Sequence, residues 1–176
     1  MAAEVTSQPE TFLFNDDGRI PNSTLPLLLY RRVFTSSADP ASWLEDRFVA
    51  NHWRGTWRNG VYPFHHYHST SHEVLGVYSG SATLQLGGEE GKVLTVNVGD
   101  VIVIPAGVGH KKLTSSPDFG LVGAYPDGRQ WDVLRGEPGE RPEADHRIAL
   151  LPLPDTDPIY GAQGPLRQHW QSVTDR

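Results

Sequence analysis

Between about residues 60 and 126, short apolar and β-branched runs alternate with turn-forming residues. The runs cover 60–68, 73–78, 82–86, 93–96, 101–104, 110–113 and 119–125. Between them lie Ser79-Gly80, Gly87-Gly88-Glu89-Glu90-Gly91, Gly99-Asp100, Pro105-Ala106-Gly107 and Ser115-Ser116-Pro117-Asp118. Regular short strands punctuated by glycine and proline predict an antiparallel barrel or jelly roll. Ahead of this region, residues 1–23 are polar and read as an extended arm or a short edge strand. Residues 25–33 are apolar enough for a strand, and Pro26, which has no N–H, confines it to an edge or a strand start. One helix is predicted. Asp39 is its N-cap and Pro40 its first residue, Ala41, Leu44 and Phe48 share a face, and the pattern fades near Asn51. It reads as a packing helix.

After Pro126-Asp127-Gly128 the pattern becomes irregular. Residues 135–146 are charged and hold Gly136, Pro138, Gly139 and Pro142, which predicts a surface loop, and 148–153 would be one more strand. Further on, Pro152, Pro154, Pro158 and Pro165 exclude regular structure. Ile159, Tyr160, Leu166 and Trp170 favour a tail laid across a neighbouring surface.

Composition narrows the function classes. The 176 residues contain no cysteine, which removes disulfides, thiolate zinc sites and Fe–S clusters and points to a reducing, cytoplasmic setting. No apolar run is long enough to span a bilayer, and the start lacks the features of a signal peptide. A net charge of −6, with 15 Lys and Arg spread along the chain, argues against a nucleic-acid or anionic-membrane partner. Arg31-Arg32 and Lys111-Lys112 are isolated basic pairs, and Ser79 lacks the Gly-x-Ser-x-Gly elbow of a serine hydrolase.

Histidine is the exception to this ordinary composition. Of 8 in the chain, His65, His66, His68 and His72 fall close together. On a strand, His66 and His68 would share a face with Cβ atoms about 7 Å apart. Glu73 lies beyond the turn-forming Ser69-Thr70-Ser71 and could aim a carboxylate at the same point, and His110 follows the tight Pro105-Ala106-Gly107-Val108-Gly109 turn. Spacing alone leaves a metal site and ordinary hydrogen-bonded histidines as equal alternatives for this set. The isolated His52, His146 and His169 read as surface or structural residues.

The pattern Gly60-x5-His66-x-His68-x4-Glu73-x6-Gly80 resembles the first conserved motif of the cupin superfamily. Gly99-x5-Pro105-x-Gly107-x2-His110 resembles the second, although the usual Asn near its end is Thr114. The 18 residues between Gly80 and Gly99 match the short spacing of microbial single-domain cupins. More narrowly, the stretch from His66 to Gly76, the stretch from Ile104 to Lys111 and Pro152-Leu153-Pro154-Asp155-Thr156-Asp157-Pro158 are similar to the YjlB-like subgroup.

The resemblance implies an all-β fold, a double-stranded β-helix (cupin or jelly-roll barrel), in one domain over residues 1–176. An arm and helix (1–52) would precede a barrel core at about 55–126, followed by an extended C-terminal segment (127–176). It implies His66, His68, Glu73 and His110 as ligands of one divalent transition metal ion, and a homodimer with terminal segments crossing between subunits. Strand parity turns His72 away from Glu73, so only one of them binds metal, and Glu73 holds the motif position. Parity likewise turns His65 outward, toward solvent or a subunit contact.

Three imidazoles and a carboxylate suit Fe(II), Mn(II), Ni(II), Co(II) or Zn(II) and do not choose among them. Because histidine binds metal deprotonated, affinity should weaken below about pH 6. Parity places Phe64 and Tyr62 beside His66, continues inward through Leu75 and Val77, and puts Lys112 and Thr114 on the face of His110. Trp53, Arg54, Trp57 and Arg58 would precede the barrel and close its mouth, with Arg58 as an anion clamp. Tyr62, Phe64, Lys112 and Arg58 are thus the candidate substrate contacts. The expected function is a metal-dependent enzyme, a dioxygenase-type oxidoreductase, acting on a small organic molecule held in the barrel. The alternatives are a non-catalytic module binding a small molecule or metal, and a sugar or keto-acid isomerase. The resemblance implies no narrower reaction.

Overall fold

The computed structural model describes residues 7–171. Among these, the strands are β1 (Glu10–Phe14), β2 (Ser23–Tyr30), β3 (Trp53–Asn59), β4 (Glu73–Ser79), β5 (Ser81–Leu86), β6 (Lys92–Asn97), β7 (Val101–Ile104), β8 (His110–Ser115) and β9 (Gly120–Pro126). They form two antiparallel sheets in the orders β1-β2-β7-β4-β9-β3 and β6-β5-β8. The expected all-β, double-stranded β-helix barrel is present.

Period-two alternation divides the large sheet into two faces. Leu27, Leu29, Leu75, Val77, Ile102, Ile104 and Leu121 turn toward Ala82, Leu84, Leu86 and Val96 of the small sheet and form the barrel core. The other face presents Leu28, Tyr30, Val74, Val101, Val103, Val122 and Ala124. β7 is therefore buried at every position, which explains its uninterrupted apolar run.

That outer face is covered by α1 (Pro40–Ala50) and by the C-terminal tail. The Asp39 carboxylate caps α1 by accepting from the Ser42 N–H at 3.1 Å, Pro40 opens it, and Ala41, Leu44 and Phe48 are its buried stripe. Helix and sheet meet over Gly76, where a Cβ would lie 2.8 Å from a Leu44 methyl. The tail follows the same sheet through Ile159, Leu166 and Trp170. Buried Asp157 fastens it, accepting from the N–H groups of Ile159, Tyr160 and Leu166 and from the Tyr30 hydroxyl. The Trp53 indole donates to the Thr156 carbonyl at 3.0 Å, and the Trp170 indole to the Pro26 carbonyl at 2.8 Å.

Four expectations about elements are corrected. The strand expected over 60–68 lies earlier, at β3, because Pro63 offers no N–H for a ladder. Trp53, Arg54, Trp57 and Arg58 consequently belong to the barrel rather than preceding it. β2 is not an edge strand, since it pairs with β1 and β7. Pro26 is tolerated because β7 pairs only with Leu28–Tyr30, and the β1 register shifts at Phe12/Phe14 opposite the proline. The strand expected over 148–153 and part of the loop before it form α2 (Glu143–Leu150). Residues 143–151 carry helix formers, and Ala144 and Ile148 pack at helical spacing against Ile20 and Tyr67. One turn of helix, α3 (Leu166–His169), follows Pro165, which suits a helix start.

Candidate metal centre

Glu73 opens β4 on the same face as Leu75, so its carboxylate points into the barrel. His110 opens β8 directly after the Pro105-Ala106-Gly107 turn. That turn requires glycine twice over. Gly107 has φ of +96°, and a Cβ there would meet the Asn22 carbonyl oxygen at 2.4 Å. His66 and His68 lie on a linking segment rather than a strand. It is clamped to β8 by reciprocal bonds, from His66 N–H to the His110 carbonyl (3.2 Å) and from His110 N–H to the His66 carbonyl (2.9 Å). Alternation along this extended piece still turns both histidines the same way, with ring centroids 5.7 Å apart.

All four side chains are buried, at 2–4% exposure. One nitrogen from each of His66, His68 and His110 lies within 4.8 Å of the other two. The Glu73 Oε1 atom is 3.3 Å from Nε2 of both His68 and His110. Adjacent ligands about 2.1 Å from one ion stand about 3.0–3.4 Å apart, so these spacings fit a shared cation.

The opposite ring nitrogens set the tautomer. Nδ1 of His66 faces the Phe64 carbonyl at 3.1 Å, Nδ1 of His110 faces that of Val108 at 3.2 Å, and Nδ1 of His68 faces that of Asp132. A carbonyl only accepts, so each Nδ1 carries hydrogen and Nε2 is the atom turned inward, the one that ligates a metal once it is deprotonated. Burial, with His110 alongside, lowers His66 to about 2 and keeps it neutral. Burial alone would lower His68, but Glu73 outweighs it and raises the imidazole. For Glu73, burial works against ionisation, yet His68 and His110 hold the carboxyl well below its usual range. One carboxylate and three inward Nε2 atoms that converge in this way are a donor set that fits a divalent transition metal. The ion would take the place of the protons that His68 and His110 now share with Glu73.

Tyr125, on β9, supports Glu73 from behind. Its hydroxyl donates to Oε2 at 2.8 Å and accepts from the Trp57 indole N–H at 2.7 Å. The Trp57 ring needs the bare backbone of Gly123, where a Cβ would sit 2.3 Å from it. Burial, then the Glu73 charge, push the Tyr125 hydroxyl upward, so it remains a donor. Asp132 plays the corresponding part for His68. Its carbonyl takes the imidazole N–H, while its carboxylate accepts from the N–H groups of Ser69 (2.6 Å) and Thr70 (3.3 Å).

A cavity of about 440 Å³ opens beside the four ligands, with Trp57, Val61, Tyr62, Leu75, Lys112, Tyr125 and Trp131 among its walls. Tyr62 and Lys112 therefore stand where the sequence suggested. Phe64 does not line this cavity, because its ring stacks between Tyr62 and the Arg135 guanidinium. Arg58 is directed away, its guanidinium pairing with Glu45 of α1 at 2.6 Å. The register shift in β8 between Lys112 and Thr114 breaks their expected common face. Lys112 pairs with inward Leu84, whereas Thr114 pairs with outward Thr83 and is exposed. Trp53 is a core residue and Trp57 a cavity wall.

His72 turns to the outer face of the sheet, accepting from the Ala106 N–H at 2.9 Å and packing on Trp170. Burial lowers it to about 4. His65 also faces away, 2.9 Å from Glu89. Tyr125, Trp131 and Asp132 were missed by the sequence reading. Gly123 within an apolar strand was the available signal for Tyr125, since such a glycine marks a close approach. Nothing local marked Trp131 or Asp132.

A small antiparallel barrel with three histidines and one glutamate converging beside a cavity defines a cupin. The cupin domain family model matches residues 58–115. The uncharacterized protein YjlB of Bacillus subtilis is 46% identical over 165 residues, covering 93% of this chain and 97% of that relative. The chain belongs to the cupin superfamily and, within it, to the YjlB-like proteins. Among solved structures, it is similar to acireductone dioxygenase from Bacillus anthracis with a cadmium ion in its active centre. The identity is 13% and the TM-score 0.41, over 58% of this chain and 80% of that one. Procruciferin, an 11S globulin of Brassica napus, is 22% identical with a TM-score of 0.36 over 45% of this chain. The chain spans only 21% of that globulin's length.

Proposed function

We propose that this cupin is a metal-dependent oxidoreductase of the dioxygenase type, acting on a small organic molecule. The carrying observation is that three oriented imidazole nitrogens and one carboxylate oxygen meet at the wall of an open cavity. A closed tetrahedral site would suit a structural ion, whereas a site facing a cavity leaves room for a substrate. A bound redox-active divalent ion would supply Lewis acidity toward a substrate oxygen and a route for electrons between substrate and O₂.

The chain's own residues supply the rest. His66, His68, Glu73 and His110 would hold the ion. Tyr125 keeps its proton on the phenolic oxygen and orients Glu73, while Trp57 fixes Tyr125. Leu75, Val61 and the aromatic walls exclude water from one side of the cavity, and Lys112 offers a positive charge. The homodimer implied by resemblance belongs to the same proposal, and exposed Leu13 and Leu150 supply apolar surface for it. Light scattering is the check, and a mass equal to one chain at every concentration removes that part.

The principal test is elemental analysis of protein purified without chelator, beside His66→Ala. About one equivalent of metal per chain, lost in the variant, is expected. The Fe(II)-loaded protein is expected to consume O₂ with a subset of small acids, diketones or thiols. Wild type that stays empty after reconstitution with Fe(II), Mn(II), Ni(II) and Zn(II) would overturn the reading. O₂ consumption unchanged in His66→Ala would overturn the oxidoreductase part.

A further inference from the structure

The cavity carries features that metal binding does not use. Lys112 lies two positions after His110, faces inward opposite Leu84, and is half-buried in the cavity wall. Among the described residues its ammonium has no carboxylate partner. The one acid in that wall, Glu73, is already engaged by His68, His110 and Tyr125. A half-buried cation over a largely apolar space attracts an anion strongly, because little water competes for it.

Two aromatic side chains add a second requirement. Tyr62 is 45% exposed although its ring is held by Phe64, stacked at 4.9 Å, and by the edge of His66 at 5.0 Å. Trp131 is 40% exposed and is held by Tyr125, stacked at 5.5 Å, and by the edge of His68 at 5.5 Å. Both rings are braced by neighbouring rings and keep free surface at the cavity. Rigid aromatic surface of this kind favours a flat apolar body, which it covers with little loss of side-chain freedom.

We propose that the cavity takes a small planar organic acid, an aromatic or conjugated monocarboxylate. Its carboxylate pairs with Lys112, and its flat body lies against Tyr62 and Trp131. The inference rests on the proposed site, since it names the ligand class of the same cavity, but none of the four metal ligands is among the groups that would touch the acid. His66 and His68 only brace the rings that do.

The test is therefore made on chelator-treated protein. Tryptophan fluorescence is titrated with benzoate, with the neutral isostere benzamide, and with the non-planar acid cyclohexanecarboxylate. Benzoate is expected to saturate, with a Kd about tenfold or more below that of either analogue. Lys112→Gln is expected to raise the benzoate Kd about tenfold and to leave benzamide within about twofold. Lys112→Arg should keep most of the preference, and Trp131→Ala should remove the advantage over the non-planar acid. Equal binding of benzoate and benzamide to wild type, or no saturation by about 10 mM, overturns the proposal without relying on any variant. Unchanged benzoate binding in Lys112→Gln overturns the assigned charge. Zinc uptake is measured on the same preparation. Zinc binding without acid preference sinks this inference alone, and acid preference without zinc binding sinks the metal reading alone.

Discussion

Tyr125 shows how one hydroxyl can govern a site it would not itself ligate. Its O–H points at Glu73 while its oxygen takes the Trp57 N–H, so both carboxylate and indole depend on it. Tyr125→Phe keeps the ring and removes both bonds, leaving a buried carboxylate with one donor fewer. Outer partners of metal ligands commonly matter by about 10–100-fold in affinity, and a loss in that range is expected in a chelator competition assay. Unchanged metal affinity would mean that Tyr125 does not position Glu73. His72 is the contrasting residue. It sits beside Glu73 in sequence, yet strand parity sends it to the other face, against Trp170, where it has a packing role.

At the scale of elements, the tail behaves as an additional layer on the large sheet. Its prolines exclude a strand, so it is held by side chains accepting and donating at backbone groups instead. Asp157 is the centre of this arrangement, and fully buried. Asp157→Ala would strand the Tyr30 hydroxyl and three N–H groups, at a cost of about 3 kcal/mol or more. Urea unfolding should report that loss, with earlier proteolytic cleavage in the tail; wild-type stability would mean that the tail is held elsewhere. The segment between β9 and α2 contributes differently. It carries Trp131 to the cavity and Asp132 to His68, so a stretch outside the repeating strands completes the candidate site.

For the whole molecule, several carboxylates couple stability to pH. Asp132 is held below its ordinary value despite burial, because Ser69 and Thr70 donate to it. Glu140 is likewise lowered against burial by donors from Arg135, Tyr67 and Gly136. A carboxyl lowered on folding stabilises fully above its unfolded value of about 4 and loses that contribution as pH falls through the lower folded value. Burial keeps His72 and His66 neutral in the fold, so the unfolded chain gains protons there first. Thermal midpoints are therefore expected to decline as pH falls below about 6.5 and to fall further below about pH 4, with Asp132→Asn flattening part of the lower fall. An unchanged profile in that variant would show that Asp132 carries no such coupling.

Much of this architecture was legible along the chain. Period-two runs, glycine and proline breaks and the Asp39-Pro40 helix start are local signals, and they specified the barrel and α1. His66, His68, Glu73 and His110 were legible through spacing and resemblance, because backbone alternation fixes which side chains share a face. Other features depended on contacts between distant parts of the chain. The bulge that turns Thr114 outward, the pull of Glu45 on Arg58 and the stacking of Phe64 under Arg135 override local parity. Tyr125 and Trp57 meet only because β9 and β3 pair, and Asp132 reaches His68 only because the chain folds back after the last strand. The sequence by itself determined the strands from β4 to β9, the first helix and the histidine set. Tertiary structure decided which side chains face the cavity and what holds the ligands, since those outcomes depend on sheet pairing and burial that no single segment encodes.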